Sequence, residues 1–163
     1  MKTNFVKLLG VAGVVVAGIA APAHAETAQG DATVKILSAI TVTKAADLNF
    51  GNVVSSNAAA TVSVGEDGTR TCGTGLNCYG TTTAGAFSVA GAAGETVSVG
   101  IDTPTIQLSN GTQSMAVALS TSTSALTLTG GVGSFNVAGT LSVGANQAAG
   151  TYTGQYNVSV NYQ

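Results

Sequence analysis

The side chains able to do chemistry in this 163-residue chain are seven acids, five bases, one histidine and two cysteines. Glu66 and Asp67 are adjacent and lead into Gly68, a pattern open to a paired-carboxylate glycosidase or to the first ligands of a calcium loop. A glycosidase sets its two carboxyls on either side of the scissile bond, and calcium takes about six to eight oxygen ligands at defined spacing. The other acids, Glu26, Asp31, Asp47, Glu95 and Asp102, stand singly along the chain, so the pair is read as a solvated turn. Cys72 and Cys78 bracket five residues in CGTGLNC, which is not the Cys-x-x-Cys spacing of a redox dithiol. GTGLNC (73–78 with its flanking cysteine) and TGGVGS (129–134) share only glycine content with phosphate loops, since neither supplies a lysine or opens a helix. Serine and threonine are abundant, but none sits in a nucleophile elbow and no base is at hand. No catalytic, cofactor-binding or metal-ligating residue is assigned, no cofactor is implied, and an enzyme is not expected.

The sole histidine, His24, belongs to an export signal. Lys2 and Lys7 form a positive start, LLGVAGVVVAGIAA (8–21) an apolar middle, and AHA (23–25) a small-x-small cleavage site after Pro22. A spanning helix needs roughly 20 apolar residues, and this run is shorter. Cleavage after Ala25 leaves 138 residues (163 − 25) without histidine, which removes histidine-based catalysis and most zinc or copper sites. In an exported protein Cys72 and Cys78 most simply pair, closing a small loop worth about 2 kcal/mol. The mature bases are Lys35, Lys44 and Arg70 against seven acids, a net of −4 (3 − 7), so no nucleic-acid partner is expected. No later stretch is apolar enough for a helical span, so no integral membrane segment is expected after cleavage.

The elements holding these residues read as strands. Good helix formers are scarce, whereas Val, Ile, Leu and Phe recur with spacing two: Val62/Val64, Phe87/Val89, Val97/Val99/Ile101, Met115/Val117/Leu119, Leu126/Leu128 and Leu141/Val143. Strands are predicted over 31–43, 47–54, 60–65, 84–90, 95–102, 105–109, 113–120, 124–129, 135–143 and 150–162. The intervening turns come about every ten residues, the rhythm of a sandwich or barrel. SNGT (109–112) suits a type I′ hairpin through Asn110-Gly111, and EDGT (66–69) offers the same chemistry. The CGTGLNC loop is the least strand-like part. An outer-membrane barrel is disfavoured by the absence of tryptophan, the scarcity of aromatics and the five- or six-residue segments. The expected class is an all-β sandwich.

Both ends of the mature chain alternate. At the C-terminus Gly150, Tyr152, Gly154, Tyr156, Val158, Val160 and Tyr162 share one face, and near the N-terminus Ala28, Gly30, Ala32, Val34 and Ile36 share another. A free N-terminal segment of this kind is either a donor for another sheet or the ordinary first strand of its own domain.

The C-terminal pattern resembles the β-zipper of chaperone–usher pilins, with Gly150 fourteenth from the end and Tyr162 penultimate. ATVKILSAITVTKAADLNFGNVV (32–54) together with LSVGANQAAGTYTGQYNVSVNY (141–162) is similar to the secreted proteobacterial family "domain of unknown function 4402" over nearly the whole mature chain, DLNFG and GTYTG being the most specific parts. The A-G-x-Y-x-G pattern also resembles the alternate and archaic, spore-coat-U-like, chaperone–usher branches. The Cys72–Cys78 loop departs from the much wider disulfide of many pilins.

This resemblance implies an immunoglobulin-like, pilin-like β-sandwich at 37–163, lacking its last strand and completed by a donated one. It implies a structural subunit of a surface fimbria or pilus, exported to the periplasm and then displayed at the cell surface. Its partners would be like subunits in a homopolymer, a periplasmic chaperone and an outer-membrane usher. The acceptor edge would comprise Gly150, Tyr152, Tyr156, Val158, Val160 and Tyr162, and the donor (26–36) would present Ala28, Gly30, Ala32, Val34 and Ile36. The alternative is a self-complete secreted adhesin or carbohydrate-binding module, and a third reading is a hydrolase using two of the acids.

Overall fold

A computed structural model describes residues 24–163. The export signal expected at 1–25 lies outside the described residues, save His24 and Ala25. Twelve strands and no helix occur among the described residues: β1 Thr41–Ala46, β2 Asn52–Val54, β3 Ala60–Val64, β4 Arg70–Cys72, β5 Asn77–Tyr79, β6 Gly85–Ala90, β7 Thr96–Ile101, β8 Thr105–Ser109, β9 Ser114–Thr121, β10 Ala125–Thr127, β11 Val132–Val143 and β12 Val158–Tyr162. All lie within the compact unit Lys35–Gln163. Residues 24–40 form no strand.

Every pairing between strands is antiparallel. One sheet follows the order β1-β6-β11-β3-β4, with β9 also paired to β11 and β8 to β9; a second is β10-β7-β12; β2 and β5 form a separate ribbon. The two larger sheets form a β-sandwich because the alternating sets turn one face inward. Val62, Val64, Phe87, Val89, Val97, Val99, Val117, Leu119, Leu128, Leu141 and Val143 are buried together with Phe50, Phe135 and Val137. Each fully buried Val or Leu contributes about 1.5–3 kcal/mol. Phe87 stacks on Phe135 across neighbouring strands, with ring centroids 5.3 Å apart.

Glycines set how the layers superpose. A Cβ on Gly133 of β11 would fall 2.9 Å from Leu126 Cδ2, so β10 lies over β11. A Cβ on Gly85 would fall 2.1 Å from the Tyr156 hydroxyl, and one on Gly91 2.6 Å from that of Tyr162. The C-terminal segment therefore lies over β6. The first five residues of β1 are exposed and Ala46 is half-buried, whereas the other strand beside β6, β11, buries alternate residues.

Four sequence expectations are corrected. The strand expected at 31–43 begins only at Thr41, because nothing among the described residues pairs with the segment before it. The strand expected at 150–162 is continuous only over Val158–Tyr162. Val158 lies five positions after Thr153 while their partners Ile101 and Ser109 lie eight positions apart, and Pro104, which has no N–H, sits in the longer arm. The cysteine loop contains β4 and β5, because Arg70–Cys72 pairs with β3 and Asn77–Tyr79 with β2. The SNGT hairpin turns on Gly111-Thr112, one residue later than expected: Asn110 N bonds to Gln113 O at 3.1 Å, and the Asn110 carboxamide oxygen accepts from Thr112 N and Gln113 N. Of that turn only Gly111 takes a positive φ (90°), which excludes type I′.

Candidate functional site: the C-terminal edge and its groove

The acids come to little as a cluster. Asp67 is tied into its own turn, its carboxylate accepting from Thr69 N at 2.9 Å and from the Thr69 hydroxyl at 2.7 Å. These bonds, the hydroxyl first, hold the Asp67 pKa below its ordinary value. Because the folded value is depressed, this contribution to stability is complete above the ordinary carboxylate pKa of about 4 and is lost as pH falls through the lower folded value. Thr69→Ala is expected to raise the Asp67 titration midpoint toward the ordinary value in a carboxyl-detected NMR titration. An unchanged midpoint would show that the backbone bond alone accounts for the shift.

Cys72 and Cys78 form a disulfide with Cα atoms 6.1 Å apart. It staples β4 of the large sheet to β5 of the ribbon, and the Arg70 guanidinium adds two bonds across the same junction, to Phe50 O at 3.1 Å and Tyr79 O at 3.0 Å. Between them they fix the stretch from Leu48 to Val54. Within it, Leu48 and Phe50 lie over Gly139, where a Cβ would meet them at 2.8 and 3.0 Å. Gly51 takes φ 71°, with Arg70 and Tyr79 too close to admit a side chain. The DLNFG motif thus has a physical reading: two anchors over a bare strand position, then a left-handed turn that only glycine fits without strain.

The C-terminal segment faces that stretch. Gly150 has φ 155° and packs against Asn110. The Tyr152 hydroxyl donates to Ala148 O and accepts from Gln147 Nε2, both at 2.9 Å. Thr153 exchanges both backbone bonds with Ser109 (2.8 and 3.0 Å). Gly154 approaches Gln107 O so closely that a Cβ would sit 2.6 Å from it. Tyr156 crosses Phe87 edge-on, centroids 6.1 Å apart, and burial, with a smaller effect of the nearby Asp47 charge, raises its phenol pKa. Tyr152, Tyr156, Val158, Val160 and Tyr162 are each half-buried and none is fully buried.

Their backbone is as incompletely partnered as their side chains. Among the described residues, β12 pairs with β7 alone. Asp102 N bonds to Asn157 O and Gln163 N to Thr96 O, so Ser159 and Asn161 are the positions that exchange hydrogen bonds with β7. The N–H and C=O groups of Val158, Val160 and Tyr162 therefore point away from β7, where no described strand lies. Beyond Tyr156 this open side runs into a groove of about 610 Å³, walled by Leu48–Ser55 and Gln147–Gly154 and floored by Ile106, Leu108, Met115, Val117, Leu141 and Val143.

Of the residues expected as an acceptor edge, Val158, Val160 and Tyr162 turn their backbone groups away from β7, while Gly150, Tyr152 and Tyr156 border the groove. Those expected as a donor are placed otherwise. Ala28, Gly30, Ala32, Val34 and Ile36 lie in irregular, exposed chain, with Val34 84% and Ile36 88% accessible. Tyr162, expected to anchor against a partner, is held by its own chain, its hydroxyl donating to Ser38 O at 2.8 Å and accepting from Ala92 N at 2.6 Å. Sequence reasoning passed over Leu48 and Phe50 as groove-wall residues, Arg70 as the side chain that holds Phe50 and Tyr79 together, and Gly85 and Gly91 as the seats of the tyrosines. The spacing Gly85-Phe87-Val89-Gly91, glycine at both ends of an inward face, was the available signal.

An antiparallel β-sandwich whose last strand pairs, among the described residues, with β7 alone defines the class of protein. The model of the family described as "Domain of unknown function (DUF4402)" matches residues 40–162, and the chain belongs to that family. No curated protein and no solved structure matches the chain.

Proposed function

We propose that this protein is a non-enzymatic structural subunit of a cell-surface fimbria, an incomplete immunoglobulin-like sandwich completed by a strand from another chain. The observation that carries the reading is the exposed face of β1 beside the open edge of β12: one added strand would face the first and pair with the second. Strand addition draws affinity from backbone hydrogen bonds and specificity from alternate side chains, and donor-strand complementation between pilins has this form. Val158, Val160 and Tyr162 offer the backbone groups, and the half-buried alternate face offers the side-chain contacts. The donor is the segment Ala28–Ile36 of a like subunit. An open apolar edge aggregates unless covered, so a periplasmic chaperone and an outer-membrane usher belong to the same reading, as does export to the periplasm and then the surface.

Sedimentation velocity of residues 26–163 over a series reaching the millimolar range tests the proposal. Polymers are expected to grow with concentration, and Val34→Asp/Ile36→Asp is expected to reduce them at least tenfold. A native chain that stays monomeric throughout the series ends the reading.

A second reading has its own observation. The groove beside Tyr152 falls within the size of small-ligand sites, about 300–1,000 Å³, which suits a secreted adhesin or carbohydrate-binding module. Glycan binding by the isolated monomer, lost in Tyr152→Ala, would favour it over the fimbrial subunit.

A further inference from the structure

We infer that the Cys72–Cys78 disulfide is a redox control on the groove: oxidised, it holds β2 in place as the groove wall, and reduced, it releases that wall while the sandwich stays folded. It rests on the reading of the groove as a continuation of the acceptor edge and adds what regulates that edge.

The wall is anchored at both ends without the disulfide. Asn49 exchanges backbone bonds with Thr83 at 2.9 and 3.1 Å. Beyond β2, Ser55 Oγ donates to Gln147 O at 3.0 Å and Asn146 N to Ser56 O at 2.7 Å. Between these anchors β2 depends on where β5 sits, because among the described residues β5 is its only partner strand and the two form a ribbon outside both larger sheets. Val53, Leu76 and Cys78 are only partly buried against the core. Cys78 stands directly opposite Val53, the middle residue of β2, and Cys72 directly opposite Val62, which is fully buried. The S–S bond therefore ties the midpoint of the ribbon to the core through β4. The Arg70 guanidinium, bonded to Phe50 O and Tyr79 O, is the second tie.

Loop size puts the effect of the bond in the wall. Only six positions separate the cysteines, and stabilisation through chain entropy grows with loop length, so so short a closure acts on the position of β5 more than on the whole fold. The large sheet continues from β4 through β3 to β11 without the ribbon. Access favours Cys72, which is exposed, over the half-buried Cys78. A dithiol reductant attacks the Cys72 sulfur as a thiolate, the S–S bond breaks, and Cys78 leaves as a thiolate that takes a proton. The second thiol of the reductant then resolves the mixed disulfide. Two electrons have passed to the cysteines, and the reductant is left as a disulfide. On the fimbrial reading the cysteines pair after export, so the wall sets in the compartment where subunits meet.

Hydrogen exchange and sedimentation velocity of residues 26–163 test this, with the chain oxidised, reduced by a dithiol, reoxidised, and as Cys72→Ser/Cys78→Ser. In the reduced and serine chains, exchange at Asn52–Val54 and Asn77–Tyr79 is expected to accelerate about tenfold or more, with β6, β9 and β11 as protected as before. Reoxidation is expected to restore the protection. A wall in place for about a tenth of the time weakens apparent affinity about tenfold, so polymers should need about tenfold more protein. Unchanged exchange in the ribbon, or loss of protection across β6, β9 and β11 as well, overturns the inference, and growth of polymers by the oxidised chain then leaves the fimbrial reading standing. Equal polymer growth by oxidised and reduced chains overturns it too. If the ribbon alone loosens reversibly and the oxidised chain forms no polymer at any concentration, the fimbrial reading falls and the redox control of the wall stands.

Discussion

A chain in which residues 26–36 are moved behind Gln163 through a short flexible linker is expected to be a monomer at every concentration and to melt about 10 °C above the native order. Gln163 ends at the close of β12, so a segment following it turns back and pairs with the open edge of that strand antiparallel, as a hairpin. The outward N–H and C=O groups of Val158, Val160 and Tyr162 then gain permanent partners. Val34 and Ile36, almost fully exposed in the native order, become able to cover β1 and β12. Each is worth about 1.5–3 kcal/mol when buried, and after the cost of ordering the segment a net of about 3 kcal/mol remains. For a domain of this size that corresponds to a shift of roughly 10 °C. The rearranged chain has no free donor, so polymerisation should stop altogether. Size-exclusion chromatography with light scattering and a thermal melt read both effects. Polymers of the rearranged chain, or an unchanged melting temperature with the amides of Val158 and Val160 still exchanging freely, would remove the acceptor edge from the account.

Gly85→Ala is expected to destabilise the fold by about 2–3 kcal/mol, and Tyr156→Phe in the same chain to restore most of the loss. A methyl on Gly85 would lie 2.1 Å from the Tyr156 hydroxyl oxygen and 3.4 Å from the ring carbon that bears it. The hydroxyl is therefore the atom in conflict, and a phenylalanine ring can stay where the tyrosine ring is. Val137 on the other side is 3.2 Å away and gives only slightly. Overpacking a well-filled site costs about 1–3 kcal/mol, and contacting residues couple by about 0.5–3 kcal/mol in a double-mutant cycle. Tyr156→Phe alone should cost little, because its ring keeps the edge-on contact with Phe87. Urea unfolding of the four chains in the cycle gives the coupling directly. Additive effects would mean that Tyr156 does not sit against Gly85, and the superposition of the C-terminal segment on β6 would go with it.

The fold class was legible because a side-chain period of two is a local property. Phe87 and Val89, Val97 and Val99, or Leu141 and Val143 declare an inward face wherever their strands end up. The shared face of Val158, Val160 and Tyr162 was legible for the same reason, since alternate residues keep one face whatever lies beside them. Strand ends were less legible. Thr151 to Asn157 alternate like Val158 to Tyr162, but their ladder is interrupted by the extra residues around Pro104 in the opposing arm, some fifty positions earlier. The two short strands of the cysteine loop carry no periodicity of their own and exist because β2 and β3 are there to pair with them.

By itself, then, the sequence determined that this is an all-β sandwich with a patterned last strand, a cysteine pair and no histidine beyond residue 24. Tertiary structure decided which edges are left open. An unpaired edge belongs to an arrangement of strands, not to any residue, and among the described residues β12 has β7 as its sole partner strand. It also decided that glycines 85 and 91 make room for Tyr156 and Tyr162, since a glycine records only the absence of a side chain and not what approaches it. The seating of the domain's first residues was likewise set there, by Lys35 meeting Glu95 and Tyr162 meeting Ser38, contacts between residues 60 and 124 positions apart.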